Sequence, residues 1–236
     1  MTKRSSLAAI GEPVVRKEDA ELITGQGRFS DDVNVPGQAY AVMVRSPHAH
    51  ARIRGIDVVA AMAVPGVIAV LTGADAIEDG LKPIPHRPIM GPPDIALGKR
   101  DASDKFLTPH RVLPNDKARF VGEAVTMVVA DSLAAAKDAA ERVAVDFEPL
   151  PAITDTSKAV APDAPLVWDE ARSNVCLDAE AGDAAATARA FERAAYIVKL
   201  QTWVQRVTGV PLEPRSARKR PSASSASSAS TKRSRP

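Results

Sequence analysis

The chain has 236 residues, 45% hydrophobic and 25% charged, an ordinary composition for a soluble globular protein of one large domain or two small ones. Its formal charge of +2 belongs to the C-terminal end: residues 216–236 hold six basic side chains and no acid, and taking six positive charges from +2 leaves −4 on the other 215 residues. That mildly acidic body lacks the basic stripe of a nucleic-acid footprint, and a single cysteine, Cys176, excludes an internal disulfide, a four-cysteine zinc site and an iron–sulfur cluster held by this chain alone.

In chain order, residues 1–19 read as a polar leader, whose apolar run Leu7-Ala8-Ala9-Ile10 is too short for a secretory signal. No run approaches the ~18 apolar residues of a membrane span, so the expected location is cytoplasmic and no membrane partner is expected. Gln38 to Arg45 alternates Tyr40, Val42 and Val44 with Ala39, Ala41 and Met43; both faces are apolar, which predicts a strand covered on both sides. Asp57 is placed to cap a short helix over 58–64 that Pro65 and Gly66 end, and Val67 to Leu71 reads as a buried strand.

Between Lys82 and Pro114 stand seven of the 19 prolines, each removing a backbone donor and steering its predecessor away from helix. This is one long excursion, with an ordered piece expected near Phe106. Two strands then flank Gly122, at 118–121 and 125–130. A helix follows from Asp131 or Ser132 to about Arg142, its apolar stripe formed by Leu133, Ala136, Ala140 and Val143. A strand over 143–147 closes this strand–helix–strand run before Pro149 and Pro151.

A Pro/Ala/Asp-rich connector covers 152–182, and Asp183 caps a helix to about Ala194 with Ala184, Ala188, Phe191 and Ala195 on one face. Tyr196 to Thr208 alternates like a long strand, the kind that pairs with strands from elsewhere in a larger sheet. At Arg215 the texture changes. Residues 216–236 are Ser, Ala, Arg, Lys, Pro and Thr alone, a composition that cannot bury enough apolar surface to offset its ordering entropy and so predicts disorder.

Several strings occur in one order: Thr24-Gly25-Gln26-Gly27-Arg28-Phe29-Ser30-Asp31-Asp32, Arg45-Ser46-Pro47-His48-Ala49-His50-Ala51-Arg52-Ile53 and Pro65-Gly66-Val67. Arg119-Phe120-Val121-Gly122-Glu123-Ala124-Val125 and Val145-Asp146-Phe147-Glu148-Pro149-Leu150-Pro151 follow. Together they resemble the N-terminal part of the molybdenum-binding large subunit of the xanthine dehydrogenase, aldehyde oxidase and carbon monoxide dehydrogenase family. The resemblance implies an α/β (α+β) fold: an α/β hammerhead domain over 20–151, then an incomplete start of the molybdopterin-binding domain over 183–215, where Gly209 to Arg215 is a recurring family string. It implies a parent oxidoreductase acting on an aldehyde, an N-heterocycle or carbon monoxide. Molybdopterin would sit in the large subunit, with FAD on a medium subunit, [2Fe-2S] on a small subunit, and large-subunit dimerisation. The family's glycine-rich cofactor loops, the glutamine near its metal and its catalytic glutamate lie downstream, and no segment here matches them.

Catalytic, cofactor-binding and metal-binding residues are therefore all expected to be none in this truncated chain. His48 and His50, two apart, would share a side on a strand, yet no third ligand stands at a usual spacing, so structural hydrogen bonding is expected. His86 and His110 are expected as surface groups, and Gly25-Gln26-Gly27 as a turn, since no third glycine or following helix completes a dinucleotide fingerprint. Asp31-Asp32 and Asp146/Glu148 are expected in turn or surface roles, and Cys176 has no base to activate it. Two further readings compete: a non-catalytic module that kept the hammerhead for subunit contacts, and nucleic-acid binding through Arg218-Lys219-Arg220 and Lys232 to Arg235. The tail's texture is also that of a GC-rich gene read out of frame, which makes a frameshift after Arg215 the favoured account of it.

Overall fold

The computed structural model describes residues 15–85, 106–176, 178 and 182–204. The chain divides into two units, one of residues 1–36 with 201–236 and one of Gly37–Leu200. The described part of the first unit contains helix α1 (Asp19–Ile23), at whose start Arg16 bonds Asp19, and a 3-10 turn at Ser30–Asp32.

The larger unit holds two antiparallel sheets. Strands β1 (Tyr40–Arg45), β5 (Ala124–Ala130) and β3 (Val67–Thr72) form one sheet in the order β1-β5-β3. Strands β4 (Lys117–Ala118), β2 (Ala51–Asp57) and β6 (Ala144–Pro149) form the other in the order β4-β2-β6. Both sheets are antiparallel throughout. The strand–helix–strand run β5–α4–β6 therefore crosses from one sheet to the other and is not a parallel crossover unit. Strand β2 was not expected: Gly55 sits at a register shift, and two arginines interrupt the apolar pattern that would announce a strand.

Helices α2 (Val59–Met62), α3 (Gly73–Glu78) and α4 (Leu133–Ala140) are set by short-range caps. Asp57 accepts from the Val59 amide at 2.9 Å, and Ser132 accepts from the Ala135 amide at 3.3 Å, as their positions predicted. Thr72 and Asp75 form a capping box at α3, and the Thr72 hydroxyl and amide both donate to Asp75, holding its carboxyl below the usual range. The core joins Ala61, Val64, Val128 and Ala139, flanked by Val44, Val67, Val70, Ala140 and Val143. Ala139 and Ala136 carry the buried face of α4 while Leu133 is 45% exposed, so the true stripe is rotated from the expected one.

Other expectations are corrected. The strand expected at 118–121 shrinks to Lys117–Ala118, because the chain turns at Gly122 and throws Phe120 and Val121 outward. Strand β1 is covered on one face only, and β3 is half-buried with Ile68 exposed. Tyr196–Val204 forms no strand and is exposed throughout, since alternation alone supplies no hydrogen-bonding neighbour; 205–208 lies outside the described residues. Helix α5 (Ala184–Glu192) is capped by Asp183 as expected, but none of its residues is buried.

Gly73 opens α3 with no room for a side chain: a Cβ there would stand 2.5 Å from the Pro114 carbonyl oxygen and 2.9 Å from the Asn115 amide nitrogen. Both are backbone atoms, so nothing flexible can yield. Gly73→Ala is expected to lower stability by about 1–3 kcal/mol, read as a lower urea midpoint at unchanged slope; an unchanged midpoint would contradict the close approach.

Candidate functional site

The densest set of polar side chains lies around the turn between β4 and β5. Gly122 has φ 87°, a left-handed conformation that glycine adopts without strain, and the turn is tied to the β1–β2 connection by Gly122 amide to Ser46 carbonyl (2.8 Å) and Ser46 amide to Glu123 carbonyl (2.9 Å). This turn points the Glu123 side chain back along the chain, where it accepts the Arg119 amide at 2.5 Å. The carboxyl is 4% exposed, and its other oxygen stands 3.9 Å from His110 Nδ1, an ion-pair distance but too long for a hydrogen bond. Burial pushes the Glu123 carboxyl above its usual range, outweighing the Arg119 amide and the His110 and Arg119 charges that pull it down.

Arg119 is the hub. Its guanidinium grips Asp116 through two contacts of 3.2 and 2.7 Å, donates to the Lys117 carbonyl at 3.1 Å, and lies 3.8 Å over the Trp168 ring. Burial would raise the Asp116 carboxyl, yet the Arg119 hydrogen bond and charge more than offset it and hold it low. Beside it the buried Lys117 ammonium pairs with Asp169, which is 66% exposed. His110 stacks on Phe120 at 6.2 Å, so it is a half-buried member of this cluster and not the free surface group expected. Of these, His110, Asp116, Arg119, Glu123 and Trp168 line a cleft of 270 Å³ together with Arg111 and Glu170.

The other candidate residues fall elsewhere. His48 and His50 lie in the bend between β1 and β2, not on a strand, and their imidazoles part. His48 meets the Phe147 ring edge-on at 5.2 Å, while His50 Nδ1 donates to the Pro151 carbonyl at 2.9 Å, leaving a buried, unpartnered Nε2. Gly25-Gln26-Gly27 wraps the end of α1, with the Gln26 and Gly27 amides both on the Glu21 carbonyl. Asp32 accepts from the Phe29 amide at 2.9 Å, and Glu148 takes Arg52 and Arg54 at 3.3 and 3.1 Å, both structural roles. Cys176 is half-buried with its thiol 3.9 Å from the Phe106 carbonyl. His86 and the basic tail lie outside the described residues. Among the described residues no three or more His, Cys, Asp or Glu gather as a metal site, and no helix is long and apolar enough to cross a membrane.

In the sequence Arg119 and Glu123 stand out only as part of a recurring string. The available signal was a pair of opposite charges four apart beside the apolar run Ala124 to Ala130, since charges next to a buried strand need partners. Nothing local pointed to Trp168 and Asp169, 49 and 52 residues on from the Arg119 and Lys117 they meet.

The profile of the aldehyde oxidase and xanthine dehydrogenase a/b hammerhead domain matches residues 24–151. This chain belongs to that family. The hammerhead chain is 38% identical to the nicotine 6-hydroxylase large subunit of Paenarthrobacter nicotinovorans, over 87% of this chain and 23% of the relative. It is 36% identical to the carbon monoxide dehydrogenase large chain of Afipia carboxidovorans, over 89% of this chain and 25% of the relative. Reconstituted CO dehydrogenase from Oligotropha carboxidovorans superposes with a TM-score of 0.56 at 34% identity, over 79% of this chain and 22% of that one. The hammerhead chain thus spans about a quarter of the length of these relatives.

Proposed function

We propose that this chain is the N-terminal scaffold of a molybdenum hydroxylase-type large subunit: the hammerhead domain, then the incomplete start of a molybdopterin-binding domain over 183–215. On this reading it neither binds molybdenum nor turns over substrate by itself. The observation that supports it is the mismatch of coverage, nearly nine-tenths of this chain against a quarter of its relatives.

The cleft chemistry agrees. A pterin phosphate needs donors turned toward it, but the terminal nitrogens of Arg119 are taken by Asp116 and the Lys117 carbonyl, which leaves its buried Nε and the Arg111 side chain as the cationic donors of the cleft. The carboxylates of Glu123 and Glu170 would face the anion. With two carboxylates facing the anion this cleft is a poor fit for molybdopterin, and no step of the parent reaction is routed through it. The relatives' names speak of a large subunit, a molybdenum-binding subunit and a large chain. The FAD-binding medium subunit and iron–sulfur small subunit are the partners proposed for the whole assembly.

Elemental analysis of the purified chain should give molybdenum far below one per chain, with no substrate-dependent dye reduction. Stoichiometric molybdenum would overturn the proposal. A second reading, a subunit-contact module without catalysis, draws on α5, which buries none of its residues. Co-purification with medium and small subunits would favour it.

A further inference from the structure

Tyr196–Val204 presents six large apolar side chains in nine residues. Tyr196, Ile197, Val198, Leu200, Trp203 and Val204 stand between 63% and 92% exposed, and among the described residues no backbone hydrogen bond involves 196–204. Unpaired amides and carbonyls beside open apolar side chains make a template for strand addition, not ordinary surface. The segment is also complementary to itself. Paired antiparallel about Leu200, it sets Tyr196 opposite Val204, Ile197 opposite Trp203, Val198 opposite Thr202 and Lys199 opposite Gln201, with Leu200 opposite its own copy. Opposite residues share a face in such a pair, so Tyr196, Val198, Leu200, Thr202 and Val204 of both strands fall on one uncharged side. Parallel in-register pairing would instead place Lys199 beside Lys199, and so would an antiparallel register centred one residue earlier.

We propose that Tyr196–Val204 of two copies of this chain pair in this antiparallel register and make a two-fold dimer. Each segment supplies the other with the donors and acceptors that neither finds in its own chain. The area agrees with that partner. At about 150–250 Å² for each aromatic and roughly 60–120 Å² for each aliphatic side chain, the six offer roughly 550–1,000 Å² per copy, against about 800 Å² per partner in a standard interface. A bare two-stranded ribbon is marginal in water, and α5, which precedes the segment and buries none of its residues, is the element in each copy available to cover the apolar side. The pairing is isologous and closes on two copies, whereas addition of the segment to a sheet edge elsewhere on another copy would be head-to-tail and open-ended. It needs neither molybdenum nor the parent reaction, so it is independent of the scaffold reading.

The test is light scattering coupled to gel filtration of the full chain. It should run at twice its 24.9 kDa mass at about 10 µM and above, and dissociate on dilution. Leu200→Lys, at an exposed position, sets two ammonium groups opposite each other across the axis. It should raise the dimer dissociation constant about a hundred-fold or more, because the change occurs twice at the centre of the interface. Its unfolding midpoint, measured at a dilution where the wild type is monomeric, should be unchanged. Leu200→Glu alone should behave alike, and an equal mixture of the two variants should recover the dimer. In a Cys176→Ser background, Leu200→Cys should give a disulfide-linked dimer under mild oxidation, while Tyr196→Cys, which faces Val204, should not. A wild-type chain that stays monomeric to about 100 µM overturns the proposal. So do masses that grow beyond two chains, a dimer that Leu200→Lys leaves intact, and a mixture that fails to recover it. A lowered midpoint for Leu200→Lys would show that residue already packed in its own chain, and equal cross-linking of Tyr196→Cys would mean parallel pairing; either also overturns it.

Discussion

A chain ending after Ile153 should unfold at a clearly lower urea concentration than one ending after Asp178, although the family profile stops at residue 151. The reason lies in the connector. Trp168 covers the Arg119 guanidinium at 3.8 Å, and Asp169 neutralises the buried Lys117 ammonium. The segment is held for this by Asn174, whose side chain accepts from the Val167 amide at 2.9 Å and donates to the Ala159 and Pro165 carbonyls at 3.2 and 3.0 Å. Cutting after Ile153 takes the Asp169 carboxylate away from Lys117 and strips Arg119 of its aromatic floor. A charge-assisted hydrogen bond and a cation–π contact together are worth roughly 2–5 kcal/mol. Because Asp169 is itself mostly exposed, the lower half of that range is the expected loss. Trp168→Ala and Asp169→Asn in the full chain should each reproduce part of it. Equal midpoints for the two truncations would mean that the connector does not pack on the domain.

That dependence marks where the sequence could be read and where it could not. Strands β1 and β3 and the run β5–α4–β6 were legible because their periods are local, and so were the caps Asp57, Ser132 and Asp183, each meeting an amide two or three residues away. Pairing was not legible. The partition of β5 and β6 between two sheets is set by β2, whose Arg52, Arg54 and Gly55 hide a strand that lies at the centre of its sheet. Tyr196–Val204 shows the converse: its alternation is strong, but a strand exists only where another strand supplies donors and acceptors. The Glu123 cluster was half-legible. Its two ends on the β4–β5 turn are four residues apart, while His110, Trp168 and Asp169 reach it from distant parts of the chain.

Glu123→Ala should cost about 1–3 kcal/mol at neutral pH, since it leaves the part-buried Arg119 amide without its acceptor. Glu123→Gln keeps an acceptor oxygen in place and should lose less. The pH dependence separates this arrangement from an ordinary salt bridge. A carboxylate stabilised by its partners has a lowered value, and its contribution fades on acidification. Glu123 is raised, because burial outweighs Arg119 and His110, so the folded state binds its proton more tightly than the unfolded chain, whose value is 4.5. Its ionisation is therefore a cost that is fully present above the folded value and is relieved as pH falls from there to 4.5. Asp116 adds to that cost by like-charge repulsion, while the His110 and Arg119 charges reduce it without reversing its sign. Across that window the wild type should gain stability relative to both variants, so that the gap to Glu123→Ala widens on acidification. Urea titrations of the three proteins at intervals from pH 7 to 4.5 would show it. A gap that narrows instead would place Glu123 among carboxylates held ionised by their partners, and the cluster would then be an ion-pair network and not a desolvated clasp.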